Sequence, residues 1–291
     1  MKTKAEVGKR KAEPGGITTL APWFGGSRFL APKVGKMLAG CSWVGIPFAG
    51  GMPEVAHIHA STIVVNDLHR HVMNLACVVS SHRGVKRLAG HLSKLPFHPD
   101  VLAEAQRHCM EMERAGFTFG DGRGQDLSER WALNYFITVW MGRSGNAGTE
   151  NEFYGGLPVR WNANGGDSNT RFRSAVASLM AWHEIMARCN FLVQDCFEFL
   201  GNVQDSPRHG LYCDPPFPDC GVKYRHSFTD DKHRQLARML AAFEHVKVVC
   251  RFYDHPLVRE LYPETRWTWH HFTGRKQNHA IAPEVLLLNG F

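Results

Sequence analysis

Short apolar runs alternate with segments of helical spacing over the first eighty residues of the chain. Residues 44–48 and 63–65 are apolar and predict two strands. Residues 53–60 fit a short helix between them, and residues 68–80 repeat apolar positions every three or four residues, as in a helix with one buried face. A strand, helix, strand, helix order predicts a parallel sheet.

The alternation stops at residue 82 and resumes only after residue 188. The stretch between them predicts helices and glycine-rich or Asn/Gly-rich loops, at 100–115, 120–124, 130–141, 154–169 and 174–188. We therefore predict that 82–188 is an inserted, mostly helical subdomain.

Strand patterns return in the last hundred residues. Three apolar runs predict strands, at 190–195, 210–214 and 246–250, and Thr229 begins an amphipathic helix between the last two. Segments 265–270 and 285–288 are predicted to pair as an antiparallel edge.

The fold class that these elements predict is α/β: a Rossmann-like, mixed seven-stranded sheet with helices on both faces. Residues 17–81 and 189–291 form this domain, and 82–188 is the insertion. Residues 1–16 are polar and basic, and predict a disordered tail.

Composition narrows the class of protein. The 291 residues suffice for a large core, no apolar run has the length of a membrane span, and the N-terminus lacks the apolar stretch of a signal peptide. We predict a cytoplasmic protein without membrane contact. The eight cysteines form no C-x-x-C pair, which argues against a zinc knuckle and a disulfide framework.

Three pairs of closely spaced histidines are candidate metal ligands. They occur as His57-x-His59, His69-x-His71 and His270-His271. No set of cysteines or carboxylates completes a site at typical ligand spacing, so we predict no metal.

Charge points to a polyanionic partner. The net charge is +7, and residues 221–279 carry 11 Lys and Arg against 6 Asp and Glu. Such a basic balance suits nucleic acid without proving it.

Two glycines and an acid suggest a nucleoside site. Gly50 and Gly51 follow the first predicted strand, and Asp67 follows the second. Glycines let the backbone approach a ligand, and a carboxylate about 20 residues further on can bind ribose hydroxyls. A plain loop glycine pair with a helix-capping Asp is the alternative.

A second motif, Asp214-Pro215-Pro216-Phe217, ends the strand predicted at 210–214. The carboxylate can accept a hydrogen bond from an amino group, the prolines leave backbone carbonyls free, and the ring offers a stacking face. A simple turn is the alternative reading.

Together these motifs resemble those of the Dam-type DNA adenine-N6 methyltransferases. The similar segments, in family order, are Trp23-Phe24-Gly25-Gly26-Ser27-Arg28, Pro47-Phe48-Ala49-Gly50-Gly51, Asn66-Asp67, Asp195 and Asp214-Pro215-Pro216-Phe217. The resemblance covers about residues 20–90 and 190–290. Arg28 stands where the family usually has Lys, and Phe217 where it usually has Tyr.

The resemblance implies S-adenosylmethionine as the methyl donor. The cofactor-binding residues that it implies are Trp23, Arg28, Pro47, Phe48, Gly50, Gly51, Asp67, Asp195, Cys196 and Asp214. Asp214 and the Pro215 carbonyl would accept hydrogen bonds from the target amine, Pro216 would complete the motif, and Phe217 would stack on the extruded base.

The resemblance also implies double-stranded DNA as the partner, in a bacterial or phage-infected cell. Segment 82–188 takes the place of the target-recognition region, and Arg160, Arg171 and Arg173 are candidate DNA contacts, with Arg275 and Lys276 nearer the C-terminus. We expect a monomer or weak dimer whose activity does not require a cognate restriction nuclease.

Other functions fit parts of the pattern. The motif beginning with Asp favours adenine over cytosine N4, although methylation of cytosine N4 or of an RNA amine remains open. A DNA-binding protein on a decayed, non-catalytic methyltransferase fold is the alternative from another class.

Overall fold

The computed structural model describes most of the chain. The described ranges are 18–26, 28–117, 125–142, 145–162, 166–219, 224–275 and 281–290. The tail predicted at 1–16 and the glycine-rich loop predicted at 120–124 lie outside them.

Seven strands form one mixed sheet in the described residues. They are β1 (Trp43–Ile46), β2 (Thr62–Asn66), β3 (Cys189–Leu192), β4 (His209–Cys213), β5 (Lys247–Tyr253), β6 (Trp267–Arg275) and β7 (Ile281–Asn289). Their order is β3-β2-β1-β4-β5-β7-β6. Six strands run in the same direction, and β7 runs in the opposite direction between β5 and β6. The predicted seven-stranded mixed sheet and its antiparallel edge are confirmed.

Helices connect the strands. They are α1 (Ala31–Met37), α2 (Arg70–Ser80), α3 (His82–Leu92), α4 (Pro99–Arg114), α5 (Gln125–Met141), α6 (Ser168–Met186), α7 (Cys196–Gly201), α8 (Asp230–Ala241) and α9 (Pro256–Leu261), with a short 3-10 helix at Pro53–His57. No helix in the described ranges combines the length and apolarity that crossing a membrane requires.

Side chains of the strands alternate between two hydrophobic cores. In β5, Val248, Cys250 and Phe252 face one core and Val249 faces the other. Buried residues of α1 to α6 fill the core around Val249, and those of α7, α8 and α9 fill the opposite one. The sheet therefore has helices on both faces, as the apolar strands predicted.

The segment 82–188 shares a core with the rest of the fold. Buried residues of α3 to α6 belong to the same cluster as those of α2 and of the strands β1 and β2. No break in this core separates the segment as a second body, so its definition as a subdomain rests on sequence alone.

Several element boundaries differ from prediction by a few residues, and two of these differences have a clear cause in the hydrogen bonds. The strand predicted at 190–195 ends at Leu192, because the Asn66 amide bonds the backbone of Gln194 and Asp195 caps α7. The helix predicted at 174–188 begins at Ser168, where Asp167 accepts the N–H of Thr170 at 2.8 Å.

One carboxylate fastens the turn between α8 and β5. Asp205 accepts the backbone N–H groups of Glu244, His245 and Val246 at 3.0, 2.9 and 2.9 Å. Burial alone would raise the pKa of Asp205, but the hydrogen bonds together have the larger effect and lower this pKa to about 2.

Asp205→Ala is expected to lower the free energy of unfolding by about 1–2 kcal/mol at pH 7, because three donors lose a charged acceptor at a solvent-accessible turn. A depressed folded pKa stabilises the protein above the unfolded value, and this contribution disappears as pH falls from about 4 to about 2. Urea titrations across this range measure the difference. Parallel curves for wild type and variant down to pH 2 would contradict this role.

Candidate active site

A cavity of about 320 Å³ opens at the carboxyl ends of β1, β2 and β4. The chain leaves β1 toward β2 and β3 and returns on the other side as β4. Ligands of open α/β sheets bind at such a reversal of strand order. Its walls are formed mainly by segments 23–26, 47–51, 67–69, 194–196 and 224–228, with Gly148 and Asp214.

The predicted glycine turn and acid meet in this cavity. Gly50 has a positive φ of 48°, and its N–H donates to Asp67 Oδ2 at 2.8 Å. Asp67 Oδ1 accepts the N–H of His69 at 2.9 Å. A carboxylate has about four lone-pair sites, so Asp67 can fix both loops and still accept from a ligand.

Asn66 ties three strand ends together behind Asp67. Its Nδ2 donates to the carbonyls of Pro47 and Gln194 at 3.1 and 3.0 Å, and its Oδ1 accepts the Gln194 N–H at 3.0 Å. This buried amide fixes the relative positions of the loops after β1, β2 and β3.

The indole of Trp23 forms one wall against two glycines. A Cβ on Gly50 would lie 2.9 Å from the indole nitrogen, and one on Gly148 would lie 2.5 Å from the ring. Trp23 also pairs with Ala147 in an isolated bridge. The sequence did not predict Gly148, because only the folded chain brings it to Trp23.

The loop after β3 supplies a further wall. Asp195 accepts the Phe197 N–H at 2.8 Å and caps α7, while Cys196 lies buried beside it. Burial raises the pKa of the Cys196 thiol to about 12, so it contributes a neutral surface. Phe48 and Phe228 meet edge to face, with ring centroids 5.6 Å apart.

Asp214 lies in the same cavity, directly after β4. Arg251 Nη1 lies 3.1 Å from Asp214 Oδ2. The Tyr212 hydroxyl lies 3.4 Å from both Asp214 Oδ2 and Glu54 Oε1, and shares its single proton between these two acceptors. Burial raises the pKa of the Asp214 carboxyl, and the Arg251 guanidinium opposes that rise. Pro216 lines the cavity, whereas Pro215 does not.

Besides Pro215, two residues predicted for the catalytic and cofactor site, Phe217 and Arg28, lie outside the cavity wall. Phe217 is 5% exposed and packs edge-on against Tyr253 at 4.6 Å, with the Arg251 guanidinium 5.1 Å from its ring centre. Arg28 is exposed, and its guanidinium lies 5.1 Å from the Phe29 ring. In this conformation neither presents its functional group to the cavity.

A buried polar cluster behind the cavity was not predicted from the sequence. His69 Nε2 lies 2.7 Å from Glu152 Oε2, and the Tyr135 hydroxyl donates to Glu152 Oε1 at 2.8 Å. Burial acts against the Glu152 charge, but His69 prevails and lowers the pKa of that carboxyl. Arg225, which lines the cavity, pairs with Glu113 at 3.0 Å.

No group of three potential ligands is placed to hold a metal ion within the described ranges. His69 and His71 pair instead with Glu152 and Glu113, at 2.7 and 2.8 Å. These contacts give both histidines structural partners.

The candidate DNA contacts have different surroundings. Arg160 is exposed beside Trp161, which is 93% exposed. Arg171 donates to the carbonyls of Trp140 and Gly142, and Arg173 to those at the end of α3. The Arg275 side chain and Lys276 lie outside the described part of the chain.

Neither a family model nor a curated protein sequence matches this chain.

Proposed function

We propose that this protein is a DNA methyltransferase that transfers a methyl group from S-adenosylmethionine to N6 of adenine. One observation carries the proposal: the glycine turn with Asp67 and the acid of Asp214-Pro215-Pro216-Phe217 line the same cavity. A methyl donor held by the first would face an amine held by the second.

The cavity suits a nucleoside-containing cofactor. Asp67 would accept from ribose hydroxyls, Asp195 and Phe48 would flank the adenine, and Trp23 would close the opposite wall. Its volume of about 320 Å³ falls within the range of small-molecule sites. Lys232, which also lines it, supplies positive charge that Arg28 does not bring there.

Asp214 would activate the target amine. The lone pair of an exocyclic amine is delocalised into its ring, and hydrogen bonds to a carboxylate favour a more tetrahedral, more nucleophilic nitrogen. The same negative charge stabilises the positive charge that develops on that nitrogen during transfer. The nitrogen would gain the methyl group as the bond of that group to the donor sulfur breaks, which leaves a neutral thioether. The excess proton would then leave to water or to the carboxylate, so no covalent enzyme intermediate is needed.

DNA is the proposed partner, and 82–188 the proposed target-recognition region. The net charge of +7 supports a polyanionic ligand. Arg160 and Trp161 combine a guanidinium with an exposed aromatic face, as protein contacts to extruded or single-stranded bases do. Phe217 could stack on the base only after leaving its packed position.

The double variant Arg160→Ala, Trp161→Ala is expected to weaken the DNA affinity of the folded protein by about 1–3 kcal/mol, the usual effect of losing a stacked base. Fluorescence anisotropy over a series of salt concentrations measures it, because a lost phosphate contact also reduces the salt dependence.

Arg173→Ala is the comparison, because its donors hold the carbonyls of Leu92, Ser93 and Leu95 and its loss should lower Tm. An unchanged DNA affinity of this folded variant would assign Arg173 to the fold alone, and a weaker affinity would support the DNA contact predicted from the sequence. A DNA contact by Arg171 stays a prediction. Unchanged DNA binding by the Arg160→Ala, Trp161→Ala variant would show that these two residues do not contact DNA.

The function is tested by incubating the protein with labelled S-adenosylmethionine and with DNA or RNA duplexes of random sequence. Each product is then digested to nucleosides to identify the base that carries the label. We expect label in adenine of DNA. Label in cytosine or RNA would select the alternative enzymes. Calorimetric absence of cofactor binding would favour the decayed, DNA-binding fold.

A further inference from the structure

Arg251 is a buried cation directly behind the cavity. It lies on β5, is 3% exposed, and is absent from the cavity wall. Its Nη1 donates to the Gly25 carbonyl at 2.7 Å and to Asp214 Oδ2 at 3.1 Å. Its Nε and Nη2 donate to Glu284 Oε2 at 3.0 and 2.9 Å.

Glu284 orients the guanidinium. It projects from β7, which is paired with β5, and binds the two donors that point away from Asp214. The planar fork of an arginine is rigid, so fixing Nε and Nη2 also fixes the direction of Nη1. Nη1 is thereby aimed at Asp214 and Gly25.

Arg251 reaches Asp214 from outside the cavity. Asp214 lines the cavity and Arg251 does not, so the guanidinium contacts the carboxylate without entering the space for a ligand. Arg251 and Tyr212 occupy only part of the lone-pair capacity of the carboxylate. The remaining capacity can accept from an amine in the cavity.

The same guanidinium holds the turn that carries Trp23. Gly25 has a positive φ of 69° and lines the cavity, and a Cβ there would lie 2.6 Å from the Tyr224 hydroxyl. The Tyr224 hydroxyl donates to the Phe24 carbonyl at 3.4 Å, so Tyr224 and Arg251 both hold the turn. The indole of Trp23, which this turn carries, forms the cavity wall against Gly50.

We propose that Arg251 is the positioning residue of this site, which fixes the Asp214 carboxylate from behind and fastens the 23–26 turn to it. The wall that holds the cofactor and the carboxylate that holds the amine then share one anchor. This inference rests on the proposed function for its role in methyl transfer, but the anchoring itself can be measured without any reaction.

Titration of Asp214 reports the anchor. The charged and titratable groups that face Asp214 are Arg251, Glu284 and Tyr212, with Glu54 reached through the Tyr212 hydroxyl. Arg251 lowers the pKa of the carboxyl against the larger effect of burial, and Glu284 raises it. Removing Glu284 and removing Arg251 should therefore move the titration in opposite directions.

The experiment is a carbon-13 NMR titration of the Asp214 carboxyl, assigned by its loss in Asp214→Asn. Glu284→Gln should lower the midpoint, because the amide still accepts from Arg251 and adds no negative charge. Arg251→Gln combined with Glu284→Gln should raise it, and leaves no unpaired Glu284 charge in the core. Arg251→Lys should stay near wild type, because the positive charge is kept.

Calorimetry with S-adenosylmethionine tests the second contact of Arg251, its hydrogen bond to the Gly25 carbonyl in the 23–26 turn. The double variant should bind the cofactor about fivefold to tenfold more weakly, the usual effect of one lost hydrogen bond. Arg259→Gln is the matched control, since Arg259 makes an exposed ion pair with Asp254. It should change neither the affinity nor the Asp214 midpoint.

The possible outcomes separate the anchoring role of Arg251 from the proposed methyltransferase function. Opposite shifts in folded variants support the anchor even if the wild type methylates nothing, in which case only the proposed function falls. Coincident midpoints in wild type, Glu284→Gln and the double variant would overturn the anchor even in an active methyltransferase. If the double variant does not fold, an unchanged midpoint in Glu284→Gln overturns it alone, and a lowered midpoint supports it.

Discussion

Asp214→Asn is expected to reduce methyl transfer to DNA by on the order of 10²-fold or more, the usual loss when one preorganised electrostatic partner is removed. The amide is nearly isosteric, and its oxygen can still accept from Arg251, so the fold should persist. Its nitrogen, however, is a donor that would face the donors of the target amine, and the negative charge proposed to stabilise the transition state would be gone.

The measurement is the rate of labelled methyl transfer, beside Tm and cofactor affinity. Asp219→Asn is the matched control, since Asp219 follows in the same loop, is 84% exposed and pairs only with His255 among the contacts described. It should retain full activity. A fully active Asp214→Asn protein would remove the catalytic role of Asp214.

Gly50→Ala is expected to weaken S-adenosylmethionine binding about tenfold or more. A left-handed residue with a Cβ costs about 1–2 kcal/mol, so the free loop of the variant should relax out of this conformation and binding would have to restore it. A cost of about 1.4 kcal/mol on binding corresponds to a tenfold change in affinity. The added Cβ would also lie 2.9 Å from the Trp23 indole nitrogen and displace the wall of the cavity. Calorimetry measures the affinity, and circular dichroism shows whether the fold is retained.

Gly90→Ala provides the comparison, because Gly90 lies in α3 with nothing within 4 Å of an added Cβ. The same substitution there should stabilise the protein by about 0.5–1 kcal/mol and leave cofactor affinity unchanged. Equal cofactor affinity in Gly50→Ala and wild type would contradict the position of the glycine turn against the ligand.

The sheet and its ligand edge could be predicted because their signals are local. Apolar runs mark β1, β2 and β4, and a motif follows each of them directly, so parallel strands bring Gly50, Asp67 and Asp214 to one edge. The strand order supplies what spacing cannot, namely that these loops enclose one cavity.

The partners of the site residues could not be predicted, because they come from distant parts of the chain. Glu152 meets His69 across 83 residues, and Arg251 meets Asp214 across 37 and Gly25 across 226. The burial of Phe217 has the same origin, since Tyr253 and Arg251 of β5 pack against its ring. A motif identifies a side chain but does not show which residues bind it or pack against it in the folded chain.

The most direct test of the proposed activity is the nucleoside content of plasmid DNA from cells that express this chain in a host without adenine methylation. Digestion and mass spectrometry should show N6-methyladenine with the wild-type protein and background levels with Asp214→Asn at equal expression. Unmodified adenine with the folded, cofactor-binding wild-type protein, or methyl groups found only on cytosine, would contradict the adenine-N6 assignment.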